Sequence, residues 1–124
     1  MTPKVNIVIR LYNEESWIKF CLLHCLDQDY ENFHITIVDS GSTDGTLQIV
    51  REFLAEYPSL ITLKTVEVFK PGNAINVGAS AVDSDYFVCL SAHCIPETKK
   101  WLLAYVDFME AHENVVGAFG RQLP

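Results

Sequence analysis

Three polar runs stand where a purely structural sequence would need nothing polar: Arg10-Leu11-Tyr12-Asn13-Glu14, Asp39-Ser40-Gly41-Ser42 and Ser91-Ala92-His93. Between them they hold most of the side chains able to do chemistry. The Asp39 carboxylate can accept hydrogen bonds from a ribose hydroxyl or a nucleobase N–H; capping the turn at Gly41-Ser42 is the commoner role of an aspartate in that place. The His93 imidazole can ligate a borderline metal or, when protonated, meet a phosphate; it could equally sit in a loop with its nitrogens on backbone groups.

Each run closes an apolar stretch. Residues 5–9 form a nearly continuous apolar strand of the kind buried on both faces of a parallel sheet. Residues 33–38 and 86–90 read as further strands, and 61–69 contains another. Between them lie helical patterns. In residues 15–26 the apolar positions are Trp17, Ile18, Cys21, Leu22, Cys25 and Leu26. A second helix follows the turn at 41–45, where Thr43 or Asp44 can cap it, and shows Leu47, Val50, Phe53 and Leu54 on one face until Pro58 ends it. Residues 73–81 predict a short helix of small residues. Pro96 marks a helix start, and Trp101, Leu102, Tyr105, Phe108, Met109 and His112 form that last helix's core-facing stripe. A fifth strand is expected at 115–119. Alternating strands and helices predict an α/β, three-layer α/β/α domain with a mostly parallel sheet and right-handed crossovers. In such a sheet ligands bind beyond the carboxyl ends of the strands, where the three polar runs fall.

Composition narrows the class. The chain has 124 residues, 49% hydrophobic and 20% charged, with a net charge of −7. One domain is expected, with enough length for a core that needs no disulfides. The acidic balance argues against holding nucleic acid by phosphate neutralisation. No run approaches the ~20 apolar residues of a membrane span. The four cysteines contain no C-x-x-C pair and match no common zinc spacing. They read as buried free thiols in a reducing compartment, hence a cytoplasmic protein. A dinucleotide site would need G-x-G-x-x-G after the first strand, and that turn has no glycine.

Longer strings carry a family resemblance. Val38-Asp39-Ser40-Gly41-Ser42-Thr43-Asp44-Gly45-Thr46 resembles the V-D-D-G-S-T-D-G-T signature of family 2 glycosyltransferases of the GT-A fold. Ile7-Val8-Ile9-Arg10-Leu11-Tyr12-Asn13-Glu14-Glu15 is similar to that family's opening strand and Y-N-E turn, and Gly72-Asn73-Ala74-Ile75-Asn76-Val77-Gly78-Ala79 to its G-x-A-x-N-x-G-A segment. The three occur in the family's order across essentially the whole chain. Ser91-Ala92-His93 stands where the family carries D-x-D. With Asp39-Ser40 and the final Gly120-Arg121-Gln122, it resembles a rhamnosyltransferase-like bacterial subgroup.

The resemblance implies a nucleotide-diphospho-sugar donor, with transfer to an acceptor with inversion in a full-length enzyme. By position, Tyr12, Asn13 and Glu14 would line the nucleotide pocket, Asp39 would accept from base or ribose, and Asn76 would fix the pocket wall. Ser91 would face ribose or phosphate, and His93 would sit at the metal or diphosphate. Ser91 and His93 in place of two carboxylates make a poor Mg²⁺ site, so a divalent cation is expected to be Mn²⁺ rather than Mg²⁺, weakly bound, or absent. Asn73 also replaces an arginine of the family segment; Arg10, at the end of the first strand, and Lys70, two residues before Gly72, are the candidates to replace that cation, Lys70 reading more readily as a solvated lysine. The chain stops before the acceptor-binding half and its general base, so no catalytic residue is assigned. An uncovered edge there would invite a homodimer. The rival expectation is a non-catalytic binding or assembly module that keeps the fold.

Overall fold

The computed structural model describes residues 2–67 and 70–124. Four strands and four helices alternate: β1 (Val5–Leu11), α1 (Ile18–Leu26), β2 (Phe33–Asp39), α2 (Thr46–Glu56), β3 (Ile61–Thr65), α3 (Pro71–Ala79), β4 (Tyr86–Ser91) and α4 (Trp101–Ala111). The sheet is parallel throughout in the order β3-β2-β1-β4. β1 is central and almost wholly buried, as its run of branched apolar residues requires. The expected third strand over 61–69 is β3, and its last two positions lie outside the described residues.

The two faces of the sheet differ. Val5, Ile7, Ile9 and Leu11 of β1, with Ile35 and Ile37 of β2, pack against α1, α2 and α4, whose Ile18, Leu22, Val50, Phe53, Leu102 and Val106 complete the main core. Each such side chain contributes roughly 1.5–3 kcal/mol by leaving water. The opposite face carries α3 alone, seated on Val8 and Val38 through Ala74. Here Gly78 permits close contact, since a Cβ would lie 2.3 Å from Val8 Cγ1. A buried polar ladder locks this layer: Thr36 Oγ1 donates to Asn6 Oδ1 (2.8 Å), and Asn6 Nδ2 donates to the Gly78 carbonyl (3.0 Å).

Several expectations require correction. Residues 115–119 form no strand. Val116 and Phe119 are fully exposed, and among the described residues no strand runs beside them to pair. Pro96 is buried in the connection after β4, and α4 begins five residues later. The core side of α4 is Leu102 and Val106, four apart, with Trp101 packed partly against it. Phe108 instead stacks on His112 at the surface, ring centroids 4.2 Å apart. Helical hydrogen bonding at α1 starts from the Glu14 carbonyl, which accepts from the Trp17 and Ile18 amides, and Trp17 itself points to solvent. Cys21 and Cys25 are buried as expected, but Cys89 is exposed, because α3 covers β1 and β2 and leaves that side of β4 open. Phe87 on the same side is 52% exposed. The chain accordingly exposes 7735 Å², roughly 1,000 Å² more than a compact monomer of its mass.

Candidate functional site: the carboxyl ends of β1, β2 and β4

The strand order places the topological switch between β1 and β4. From β1 the chain winds outward through β2 to β3, then crosses back over α3 to β4 on the other side. Doubly wound sheets open a crevice at that point. Arg10 and Ser91 are register partners there, and Leu11 is paired with Asp39.

The three polar runs meet at this end. The amide of Asn13 donates to Ser42 Oγ (2.9 Å), and Asn13 Oδ1 accepts from the Thr43 amide (2.7 Å). Asn13 adopts φ 47°, a left-handed conformation that asparagine tolerates better than most side chains. The Glu14 amide donates to Thr46 Oγ1 (2.9 Å), and Glu15 Oε2 accepts from the Gly45 amide (2.9 Å). The β1 turn is thus clamped to the β2 turn by four contacts. β4 joins through Glu14: its Oε1 lies 2.8 Å from His93 Nδ1, across 79 residues of sequence. Ser91 Oγ lies 3.3 Å from the same ring nitrogen. Because an ionised carboxylate only accepts, Glu14 places a proton on Nδ1 and leaves Nε2 to face other groups.

Asp39 is 1% exposed and turned into its own turn. Its Oδ2 accepts from the Gly41 and Ser42 amides (2.9 and 3.1 Å), and its Oδ1 from Ser42 Oγ (2.5 Å). Turn capping is therefore what this carboxylate does, and its Oδ1 is shared with the Ser42 hydroxyl. Gly41 takes φ 100°, which only glycine adopts without strain. Asp44 caps α2 from one residue ahead of Gly45, accepting from the Thr46 amide (3.0 Å) and hydroxyl. The Thr46 hydroxyl holds the Asp44 carboxyl below its ordinary range.

Tyr12 presents its ring to solvent at the mouth, 56% exposed. Asn76 is brought in less closely. It is exposed on α3, whose sheet-facing residues are Ala74 and Gly78, and among the described residues its side chain bonds to none of the others. The Glu14–His93 pair escaped the sequence reading, since nothing local in either segment signals the other. Two buried polar atoms lack a partner among the described residues, Arg10 Nε and Ser40 Oγ. Both lie at this end of the sheet.

The donor set for a divalent cation is thin. It consists of His93 Nε2 and the Ser91 hydroxyl, themselves 3.5 Å apart, since Glu14 is engaged by His93 and Asp39 by its turn. Among the described residues no three His, Cys, Asp or Glu side chains gather in a metal-holding group. A hard cation such as Mg²⁺ wants several oxygen ligands, and these residues do not fit a resident one.

Comparison with known proteins places the fold among related chains. The chain is 36% identical over 96 residues to the dolichyl N-acetyl-alpha-D-glucosaminyl phosphate 3-beta-D-2,3-diacetamido-2,3-dideoxy-beta-D-glucuronosyltransferase of Methanococcus voltae; the match covers 75% of this chain and 30% of that protein. Its fold superimposes on a mannosyltransferase from Pyrobaculum calidifontis, solved with GDP-Man and Mn²⁺ (TM-score 0.81, 26% identity, 88% of this chain and 33% of the other). It also superimposes on residues 1–349 of TarS from S. aureus, solved with UDP-GlcNAc (TM-score 0.76, 25% identity, 98% and 37%). The chain therefore spans about a third of the length of the proteins it matches. The sequence model for glycosyl transferase family 2 matches residues 6–122, nearly the whole chain. With its parallel sheet and clustered strand ends, the chain belongs to glycosyl transferase family 2.

Proposed function

We propose that the chain binds a nucleotide-diphospho-sugar in the crevice between β1 and β4 and, as part of a longer enzyme, passes the sugar to an acceptor hydroxyl with inversion. The observation that carries this is the convergence of three distant segments on the switch point, tied by Asn13–Thr43 and Glu14–His93. The related structures solved with GDP-Man or UDP-GlcNAc support the choice of ligand. In this reading Tyr12 offers its exposed ring to the base. Asn13 and Glu14 hold the two turns as the pocket wall, Asn76 flanks it, and Asp39 sets the floor. Ser91 and His93 Nε2 face ribose and diphosphate. The carboxylates at hand are all engaged, so deprotonation of the acceptor falls to a group outside these residues. Ser91 and His93 Nε2 would hold a divalent cation at most weakly, Mn²⁺ in preference to Mg²⁺. Residence in a reducing compartment, which free cysteines favour, and a second copy across the open edge of β4 belong to the same proposal.

The test is calorimetric titration of the chain with UDP, GDP and dTDP, each in Mn²⁺ and in EDTA. One of them should bind with a Kd below about 1 mM, a free energy near −4 kcal/mol, and chelation should weaken it by less than about tenfold. Silence toward all of them at millimolar concentration would count for a binding or assembly module that has lost the donor.

A further inference from the structure

Arg10 is the one cation placed at the switch point by β1 itself, and its surroundings are unusual. It alternates with Val8, so its side chain lies on the α3 side of the sheet, the side on which β4 is uncovered. Its neighbours there are Ser91, its register partner, and Cys89, two residues earlier in β4. Partial burial pushes the Cys89 thiol up, and the Arg10 charge on the same face pulls it part of the way back. The Arg10 Nε is sealed from solvent with no acceptor, and Arg10 makes no ion pair among the described residues. A buried donor left unmade costs about 1–3 kcal/mol, more when charged. A guanidinium presents parallel N–H groups that match phosphate oxygens.

We propose that Arg10 receives the diphosphate of the donor, supplying from β1 the positive charge that Ser91 and His93 do not recruit by holding a metal. This rests on the donor-site reading above. It assigns a ligand-binding cation to a position whose neighbours otherwise show only an unpaired charge. It also explains why a strand otherwise almost wholly buried keeps an arginine at its sixth position.

The experiment compares the wild-type chain with Arg10→Gln and Arg10→Lys in EDTA. The ligands are whichever of UDP, GDP and dTDP binds best, with its monophosphate and its nucleoside. Arg10→Gln should weaken the diphosphate by about tenfold or more, the monophosphate by roughly threefold, and leave the nucleoside unchanged. Arg10→Lys keeps the charge but loses the fork and should fall between. Affinity of the wild type should drop more steeply with salt than that of Arg10→Gln. An equal loss for all three ligands would show a structural arginine, and no loss would show a bystander; either overturns the inference while the donor site stands. A wild-type chain that binds no nucleotide overturns both. Melting curves of the two variants confirm that folded proteins are compared.

Discussion

Asp39→Ala should lower the melting temperature by about 8–15 °C and raise the Kd for the bound nucleotide at least tenfold. The carboxylate is almost fully buried and accepts from two backbone amides and one hydroxyl within the Gly41-Ser42 turn. Hydrogen bonds to a charged acceptor are worth about 1.5–3 kcal/mol each, and the donors left behind carry their own desolvation cost. The bonds share one carboxylate and do not add fully, so a loss of ~2–4 kcal/mol is expected, and a chain of this size converts each kcal/mol into about 3–5 °C. The turn also holds Ser42 and Thr43 against Asn13, so its collapse would free the Tyr12–Glu14 segment. Asp39→Asn keeps one acceptor oxygen and should lose about half as much stability. Thermal unfolding followed by circular dichroism reads the effect; an Asp39→Ala melting point within about 2 °C of wild type would mean that this carboxylate does not hold the site together.

Gly78→Ala should destabilise the chain by about 2–3 kcal/mol, although alanine is the better helix former by up to ~1 kcal/mol. The new methyl would stand 2.3 Å from Val8 Cγ1 and 3.1 Å from Val38 Cγ2, so α3 must lift from the sheet. Overpacking of that kind costs about 1–3 kcal/mol. Lifting also pulls the Gly78 carbonyl from the buried Asn6 amide, which leaves a polar group unpaired. Gly72 in the same helix is the control: a Cβ there meets nothing within 4 Å, so Gly72→Ala should be neutral or slightly stabilising. Urea midpoints at unchanged slope distinguish the two. Equal midpoints for both variants would contradict the close seating of α3.

Much of this fold is written locally. The apolar run of β1, the spaced Ile18, Cys21, Leu22 and Cys25 of α1, and the Gly41–Gly45 turn each specify their element within a few residues. The fifth strand failed because an apolar, β-branched segment becomes a strand only with a neighbour, and residues 115–119 have none alongside them. The stripe of α4 held only in part for a related reason: Leu102 is in the core and Trp101 packs on it, but the sheet meets the helix along Leu102 and Val106, which leaves Phe108 and His112 at the surface. For the site, the strings around Tyr12, Asp39 and Ser91 name the segments but not their bonds. That Asp39 caps its own turn is local and is one of the two roles its Gly41-Ser42 context offers, whereas Glu14 rather than a backbone group orienting His93 is a fact of three-dimensional register with no signature along the chain.

Amide chemical-shift mapping by ¹⁵N NMR tests the central claim most directly, because a chain of 14.0 kDa gives a resolvable spectrum. On titration with the diphosphate that binds best, the shifts should concentrate at Tyr12–Glu14, Ser40–Asp44 and Ser91–His93 together, with one common saturation curve. Shifts confined to the opposite end of the sheet, around Lys4 and Asp85, or spread over one of the three segments alone, would contradict a single crevice built from all of them.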